Sequence, residues 1–252
     1  MKSMNREEQA TKQTGFVFIH GAGLNGGIWS EVIRGLDAPC LAVEFPRASA
    51  NVRSKKRNEA GIADYISSIK RQIEDWGVQR FVLVAHSIGG VLALKLAEEF
   101  KGRVAGLVAV GAAIPENGGS FLSSLPFPQR AIYSVILRLV GTKPPEAALR
   151  SGLCNDLTDK QADVIASGFQ PESRLLYTEK TGAAIPHIPK LYIKLTNDKE
   201  FTLVMQDRMI ARLSAQRVVE LNTGHLPMIG DPTGVRNAIL SILPAAKAAI
   251  AN

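Results

Sequence analysis

The stretch FVLVAHSIGG at residues 81–90 decides how this chain folds. An apolar, β-branched run ends at a serine between small residues, and a helical pattern begins directly after it. Such a serine lies on a sharp turn from strand to helix, with its hydroxyl exposed and the amides of the new helix beside it. Ser87 is therefore a candidate nucleophile, and the rest of the chain must supply its partners.

Short apolar runs alternate with helical patterns along most of the 252 residues. This alternation predicts an α/β fold, in which crossover helices flank a mainly parallel sheet of about six strands. Between the second and third runs, apolar residues from Ile62 to Trp76 recur every three or four positions, which predicts one helix face that ends at Gly77. The six predicted strands are residues 16–19, 41–45, 81–85, 104–110, 190–195 and 217–221.

The alternation stops between residues 113 and 189. This stretch is rich in proline, contains short helical patterns at 129–140 and 159–167, and has no convincing strand. We predict that residues 113–189 form a helical cap over the carboxyl ends of the strands, where ligands bind in open α/β sheets. Residues 1–112 and 190–252 would then form the core.

The net charge of +7 raises the question of an anionic partner. The dense basic cluster is Arg53 with Lys55, Lys56 and Arg57, in a polar stretch that a solvated loop explains. Because no aromatic residues are interleaved with it, we expect no nucleic-acid partner. No apolar run approaches the roughly 20 residues that a membrane helix needs, so we expect no membrane insertion.

Two cysteines, Cys40 and Cys154, lie far apart and in no metal-like or redox-like spacing. This usage is typical of a reduced intracellular protein. Residues 1–14 are polar and lack the apolar segment of a signal peptide. We therefore expect a cytoplasmic protein, and a homodimer stays open.

Ser87 requires a base, and His225 is the best candidate. It comes just after the sixth predicted strand, so it lies at the same edge of the sheet as Ser87. Asp198 follows the fifth strand and lies between the two in sequence, where it would orient the imidazole and stabilise its charged form. Glu200, two residues later, is the alternative acid.

Two backbone amides are candidates for stabilising an oxyanion. The N–H of Ile88 begins the helix after the serine, and the N–H of Ala22 follows the first strand. Small residues around Ala22 let the backbone approach a ligand closely.

The other three histidines are predicted to be structural. His20 would hold the loop that carries Ala22. His86 would point away from the serine hydroxyl because side chains alternate along a strand. His187, between two prolines, would lie on the surface.

The chain resembles the α/β-hydrolase superfamily in the order of its nucleophile, acid and base and in two motifs. These motifs are HGAG at residues 20–23 and AHSIG at residues 85–89. Segments 20–29, 153–155 and 195–206 resemble the branch of plant methyl esterases, hydroxynitrile lyases and small bacterial esterases. The resemblance implies an α/β-hydrolase fold without two leading antiparallel strands. It also implies that the N–H groups of Ala22 and Ile88 bind the oxyanion.

Two departures from the superfamily pattern bear on the chemistry. Ala85 stands where the usual motif has glycine, and alanine is small enough to pass beneath the turn. Leu226 follows His225, where the hydroxynitrile lyases carry a lysine that handles cyanide. We therefore expect hydrolysis rather than the lyase reaction.

These observations predict a carboxylesterase-type serine hydrolase that acts on a small-molecule ester through an acyl-enzyme intermediate. The alternatives are a lyase-like or lactone-opening enzyme on the same scaffold, or a receptor-like binder. No phosphate loop, His-Glu-x-x-His or Cys-x-x-Cys motif is present, so no metal or nucleotide cofactor is implied. The predicted pocket residues, all in the cap, are Phe121, Leu122, Leu125, Phe127 and Tyr133.

Overall fold

The computed structural model describes residues 14–46, 60–116 and 118–248, and it contains the predicted sheet. Six strands lie in the order β2-β1-β3-β4-β5-β6, and every neighbouring pair is parallel. The strands are β1 (Gly15–Ile19), β2 (Cys40–Ala42), β3 (Phe81–His86), β4 (Val104–Val110), β5 (Lys190–Leu195) and β6 (Arg217–Leu221). The predicted α/β fold is confirmed.

Helices cover the sheet and make up the segment between β4 and β5. A 3₁₀ turn spans Gly26–Trp29 and a π-turn spans Leu149–Leu153. The α-helices are α1 (Ser30–Ile33), α2 (Ile62–Trp76), α3 (Gly89–Glu99), α4 (Phe121–Ser124), α5 (Phe127–Leu139), α6 (Glu146–Ala148), α7 (Asp159–Gly168), α8 (Arg174–Thr178), α9 (Leu203–Leu213), α10 (Pro227–Gly230), α11 (Pro232–Leu240) and α12 (Leu243–Ala248).

The second strand is shorter than its apolar run predicts. Pairing with β1 ends at Ala42, although Val43 still donates a backbone hydrogen bond to Phe18. The next amide, that of Glu44, donates instead to the side chain of Gln72 on α2. The strand lies at an edge of the sheet, so it can leave the ladder as soon as another acceptor satisfies its amides.

Both faces of the sheet are buried, and side chains alternate between two apolar layers. Val17 and Ile19 of β1 belong to the layer that contains the inner face of α2, while Phe16 and Phe18 belong to the other layer. Trp29 is fully buried in this second layer. A parallel sheet enclosed in this way explains why the strands read as continuous apolar runs.

The predicted end of α2 is confirmed, and α11 begins with a side-chain cap. Gly77 ends α2 in the left-handed conformation, with φ of 77°, and its N–H donates to the carbonyl groups of Ile73 and Glu74. Asp231 caps α11 through its carboxylate, which accepts from the N–H of Gly234. Gly77 thus fixes where α2 ends before β3, and Asp231 fixes where α11 begins after β6.

The segment predicted to be a cap contains helices α4 to α8 and lies between two adjacent strands. The helical patterns at 129–140 and 159–167 correspond to α5 and α7. Thr158 caps α7, because its hydroxyl accepts from the N–H of Gln161 while the Gln161 side chain accepts from the Thr158 amide. The division of the chain into core and cap stays a prediction.

Both cysteines are free thiols. Cys40 is partly exposed and Cys154 is buried, and burial raises the pKa of each to about 11. Thiols with such pKa values stay protonated near neutral pH and are poor nucleophiles. The basic cluster at residues 53–57 lies outside the described residues.

Across the described ranges, none of the helices combines the length and apolar character needed to cross a bilayer.

Gly90 is required where α3 passes the loop after β4. A Cβ atom at this position would lie 2.6 Å from the carbonyl oxygen of Ala113 and 2.9 Å from the Cβ of Ala112. We expect Gly90→Ala to lower the free energy of unfolding by about 1–3 kcal/mol, because backbone must shift to admit the methyl group. Urea unfolding measures this loss.

Gly168→Ala at the end of α7 is the matched control, because no atom lies within 4 Å of its added Cβ. We expect that variant to be as stable as the wild type, or more stable by up to about 1 kcal/mol. Equal stability of the two variants would contradict the prediction.

Candidate active site

Ser87 occupies a strained turn between β3 and α3. Its φ is 53°, in the left-handed region that few residues other than glycine adopt. The turn is held because the Ser87 carbonyl oxygen accepts from the N–H groups of Gly90 at 3.1 Å and Ala113 at 2.9 Å. Strain maintained by surrounding hydrogen bonds is typical of a functional position.

Small residues let the loop after β1 pack directly against this turn. A Cβ on Gly21 would lie 2.8 Å from Nδ1 of His86, and a Cβ on Gly89 would lie 2.9 Å from the carbonyl oxygen of His20. The loop that carries Ala22 therefore approaches the backbone around Ser87 as closely as glycine allows.

The structure brings His225 and Asp198 together at the carboxyl ends of β5 and β6. Nδ1 of His225 lies 2.8 Å from Oδ2 of Asp198, and both side chains are almost fully buried. The other carboxylate oxygen, Oδ1, accepts from the N–H groups of Glu200 at 2.7 Å and Phe201 at 3.0 Å. The aspartate is thus fixed by its own loop while it orients the imidazole.

This contact assigns the tautomer of His225. An ionised carboxylate only accepts hydrogen bonds, so Nδ1 carries the proton and Nε2 keeps a lone pair. Burial opposes protonation of the ring, but the carboxylates of Asp198 and Glu200 outweigh it. The pKa of His225 is therefore raised above its ordinary value of 6.5. The ring is both a proton acceptor at Nε2 and well stabilised once it is charged.

The alternative acid, Glu200, has a different partner. Its Oε2 accepts from the hydroxyl of Tyr133 at 3.1 Å, and the hydrogen bonds of the described residues include none between Glu200 and His225. Of the two carboxylates that the sequence left open, Asp198 is the one bonded to the imidazole.

The N–H groups of Ala22 and Ile88 are available for a ligand. Among the hydrogen bonds within the described part of the chain, neither group is a donor. Ile88 directly precedes α3, and Ala22 lines the same cavity as Ser87. An amide near a helix N-terminus favours negative charge, so this pair suits an oxyanion.

Two of the other three histidines hold the framework of the site. Nδ1 of His20 donates to the carbonyl oxygen of Gly21 at 2.8 Å, within the loop that the sequence assigned to it. Nε2 of His86 donates to the carbonyl oxygen of His225 at 2.8 Å. Burial, and then the charge of His225, lower the pKa of His86 well below its ordinary value, so this ring stays neutral. His187 is exposed, as predicted.

Ser87 and His225 line a cavity of about 120 Å³. Of the predicted pocket residues, Phe121 and Tyr133 line it and three do not. Leu122 and Leu125 are buried in the apolar layer that contains the inner face of α2. Phe127 is 82% exposed, because it is the first residue of α5 and lies on the outer side of that helix. The prediction of a pocket role for these three residues is corrected accordingly.

Half of the residues that line the cavity were not predicted as site residues from the sequence. They lie on six separate segments of the chain, and no local pattern connects them. Three of them, Leu24, Leu153 and Phe201, fall in segments that resemble the family branch named in the sequence analysis. These additional residues are Leu24, Thr142, Pro144, Leu149, Leu153, Phe169, Tyr177 and Phe201.

Comparison with known proteins identifies the family of this chain. The chain is 23% identical over 265 residues to Methylesterase 17 of Arabidopsis thaliana. The alignment covers 92% of this chain and 94% of that protein. An extracellular α/β-hydrolase from a Paenibacillus species superposes with a TM-score of 0.80 at 21% identity, over 91% of this chain and 98% of the other.

A pyrethroid hydrolase from Sphingobium faniae has a TM-score of 0.72 at 20% identity, with 92% of this chain and 98% of that chain covered. The sequence profile of the Alpha/beta hydrolase family matches residues 16–238, which is most of the chain. The protein therefore belongs to the alpha/beta hydrolase family.

Proposed function

We propose that this protein hydrolyses carboxylic esters, with Ser87 as nucleophile, His225 as general base and Asp198 as the residue that orients the base. The observation that carries the proposal is one cavity lined by both Ser87 and His225, with the imidazole bonded to Asp198 at 2.8 Å. Family membership and the similarity to a methylesterase and a pyrethroid hydrolase support ester hydrolysis as the reaction class.

In the first half of the reaction, Nε2 of His225 takes the proton of the Ser87 hydroxyl as its oxygen attacks the ester carbonyl carbon. The resulting oxyanion accepts hydrogen bonds from the N–H groups of Ala22 and Ile88. Each such donor is worth about 3 kcal/mol in the transition state. The carboxylates that raise the pKa of His225 stabilise the imidazolium that holds the proton in this step.

Collapse of the tetrahedral intermediate breaks the bond to the alcohol oxygen, which leaves with the proton from the imidazolium. The acyl group is then bonded to Ser87. Water attacks this acyl-enzyme, His225 accepts one water proton, and the acid is released when the serine oxygen recovers that proton. The same two amides stabilise both oxyanions.

Labelling with a p-nitrophenyl alkylphosphonate tests the nucleophile. The reagent places a phosphonyl group on an activated serine and releases nitrophenol, and the adduct resists hydrolysis. We expect about one equivalent of nitrophenol per chain and a matching mass increase on the peptide that contains Ser87. The protein with Ser87→Ala should take up no label. Label on another residue, or equal labelling of that variant, would overturn the assignment.

A further inference from the structure

Two polar side chains in the cavity wall neither exchange a proton nor bond to the ester in the chemistry proposed above. Glu200 and Tyr133 both line the space that Ser87 and His225 share, and most of the remaining wall is apolar. The Tyr133 hydroxyl donates to Oε2 of Glu200 at 3.1 Å. Glu200 is partly buried, and a carboxylate beside an apolar wall is stabilised when it is hydrogen-bonded.

The carboxylate of Glu200 is held in position from several sides. Its own amide donates to Oδ1 of Asp198, which fixes the backbone at the start of the loop. A Cβ on Gly152 would lie 2.1 Å from Oε1, so the glycine leaves the room that this oxygen occupies. With Tyr133 on the other oxygen, the group is preorganised rather than free to swing into solvent.

Glu200 has no lysine or arginine partner among the described residues. The ion pairs of the described residues do not include it. Nor does a lysine or arginine appear among the described residues that line the cavity. Desolvation, and then the nearby carboxylate, raise the pKa of Tyr133, which therefore stays a hydrogen-bond donor. Oε1 accepts no hydrogen bond within the described part of the chain, so Glu200 keeps acceptor capacity for a group that enters the cavity.

We propose that Glu200 and Tyr133 form a polar subsite that selects esters bearing a cationic N–H donor, on either the alcohol or the acyl portion. This inference rests on the proposed function, since it names the substrate class of the same site. A charge-assisted hydrogen bond to a fixed carboxylate is stronger than one between neutral groups. The negative charge of Glu200 repels an ester that also carries a free carboxylate.

Isosteric ester pairs test the selection. Dimethylaminoethyl butanoate and isopentyl butanoate have nearly the same shape, but a protonated N–H replaces a C–H in the alcohol portion. The methyl ester of γ-dimethylaminobutyric acid and its carbon isostere, methyl 5-methylhexanoate, make the same comparison in the acyl portion. At neutral pH we expect kcat/KM to favour the ammonium member of at least one pair by about 10-fold.

Glu200→Gln should reduce this preference to near unity, because the amide keeps the shape and loses the charge. Tyr133→Phe should reduce it less, and thermal unfolding of both variants verifies that they are folded. If Glu200→Gln fails to fold, the Tyr133→Phe ratio decides. Glu116→Gln is the matched control, because that carboxylate is exposed and pairs with Arg212 outside the cavity.

A binding measurement separates this inference from the proposed function. Calorimetric titration of the same four esters into the protein with Ser87→Ala requires no turnover. If the ammonium esters bind more tightly but the wild type hydrolyses none of the four esters, the subsite is supported and only the proposed reaction is overturned. No preference in either pair, or an equal loss on both members of a pair with Glu200→Gln, would overturn the subsite.

Discussion

Replacement Ser87→Ala is expected to lower kcat/KM for p-nitrophenyl butyrate by at least about 10⁴-fold. The substitution removes the oxygen that would attack the carbonyl, while His225 and Asp198 keep their 2.8 Å contact because neither bonds to the serine side chain in the hydrogen bonds of the described residues. The release of nitrophenolate measures the effect directly. Undiminished turnover by the variant would contradict the nucleophile assignment.

Ser87→Gly serves as a control for folding in the same experiment. Glycine adopts positive φ without steric cost, so it relieves the strain of a residue at φ 53°. We expect this variant to be as inactive as the alanine variant, yet more stable than the wild type by about 1 kcal/mol. Loss of activity with a gain of stability would separate catalysis from structural damage. A less stable glycine variant would contradict the interpretation of this turn as strained.

Asp198→Asn is expected to lower kcat/KM at neutral pH by about 10⁴-fold. An asparagine can donate to Nδ1 of His225, which would move the ring proton to Nε2 and remove the lone pair that accepts the serine proton. Steady-state kinetics with the same ester measure the loss. Asp207→Asn is the control on α9, because that carboxylate is exposed and pairs with Lys194. Equal effects of the two substitutions would contradict the role of Asp198.

The pH profile gives this prediction an independent measurement. Only neutral His225 accepts a proton, so activity falls as the pH drops through the pKa of His225, which is raised above 6.5. Asparagine removes the charge that favours the imidazolium, so the remaining activity of the variant should persist to lower pH. An acidic limb that stays at the same pH in the wild type and the variant would contradict this explanation.

Much of the fold could be predicted from the sequence because its signals are local. A strand buried on both faces is a continuous apolar run wherever it lies, and β4, β5 and β6 have the predicted bounds. The turn after β3 was predicted equally well, since a strand, a serine and small residues follow one another directly. The end of β2 was not, because it depends on Gln72, a residue from a distant helix that takes over one amide.

The sequence by itself determined the order of strands along the chain, the turn that carries Ser87, and the short set of residues from which an acid and a base could be chosen. The sequence favoured Asp198 as the acid and kept Glu200 as the alternative, and only the tertiary structure shows which of these two similar side chains contacts the imidazole. One is bonded to the imidazole of His225 and the other to Tyr133. It also decided that Phe127 is exposed while Phe121 lines the cavity. Periodicity records which side of an element is apolar, whereas the partner of a side chain depends on how separate elements pack together.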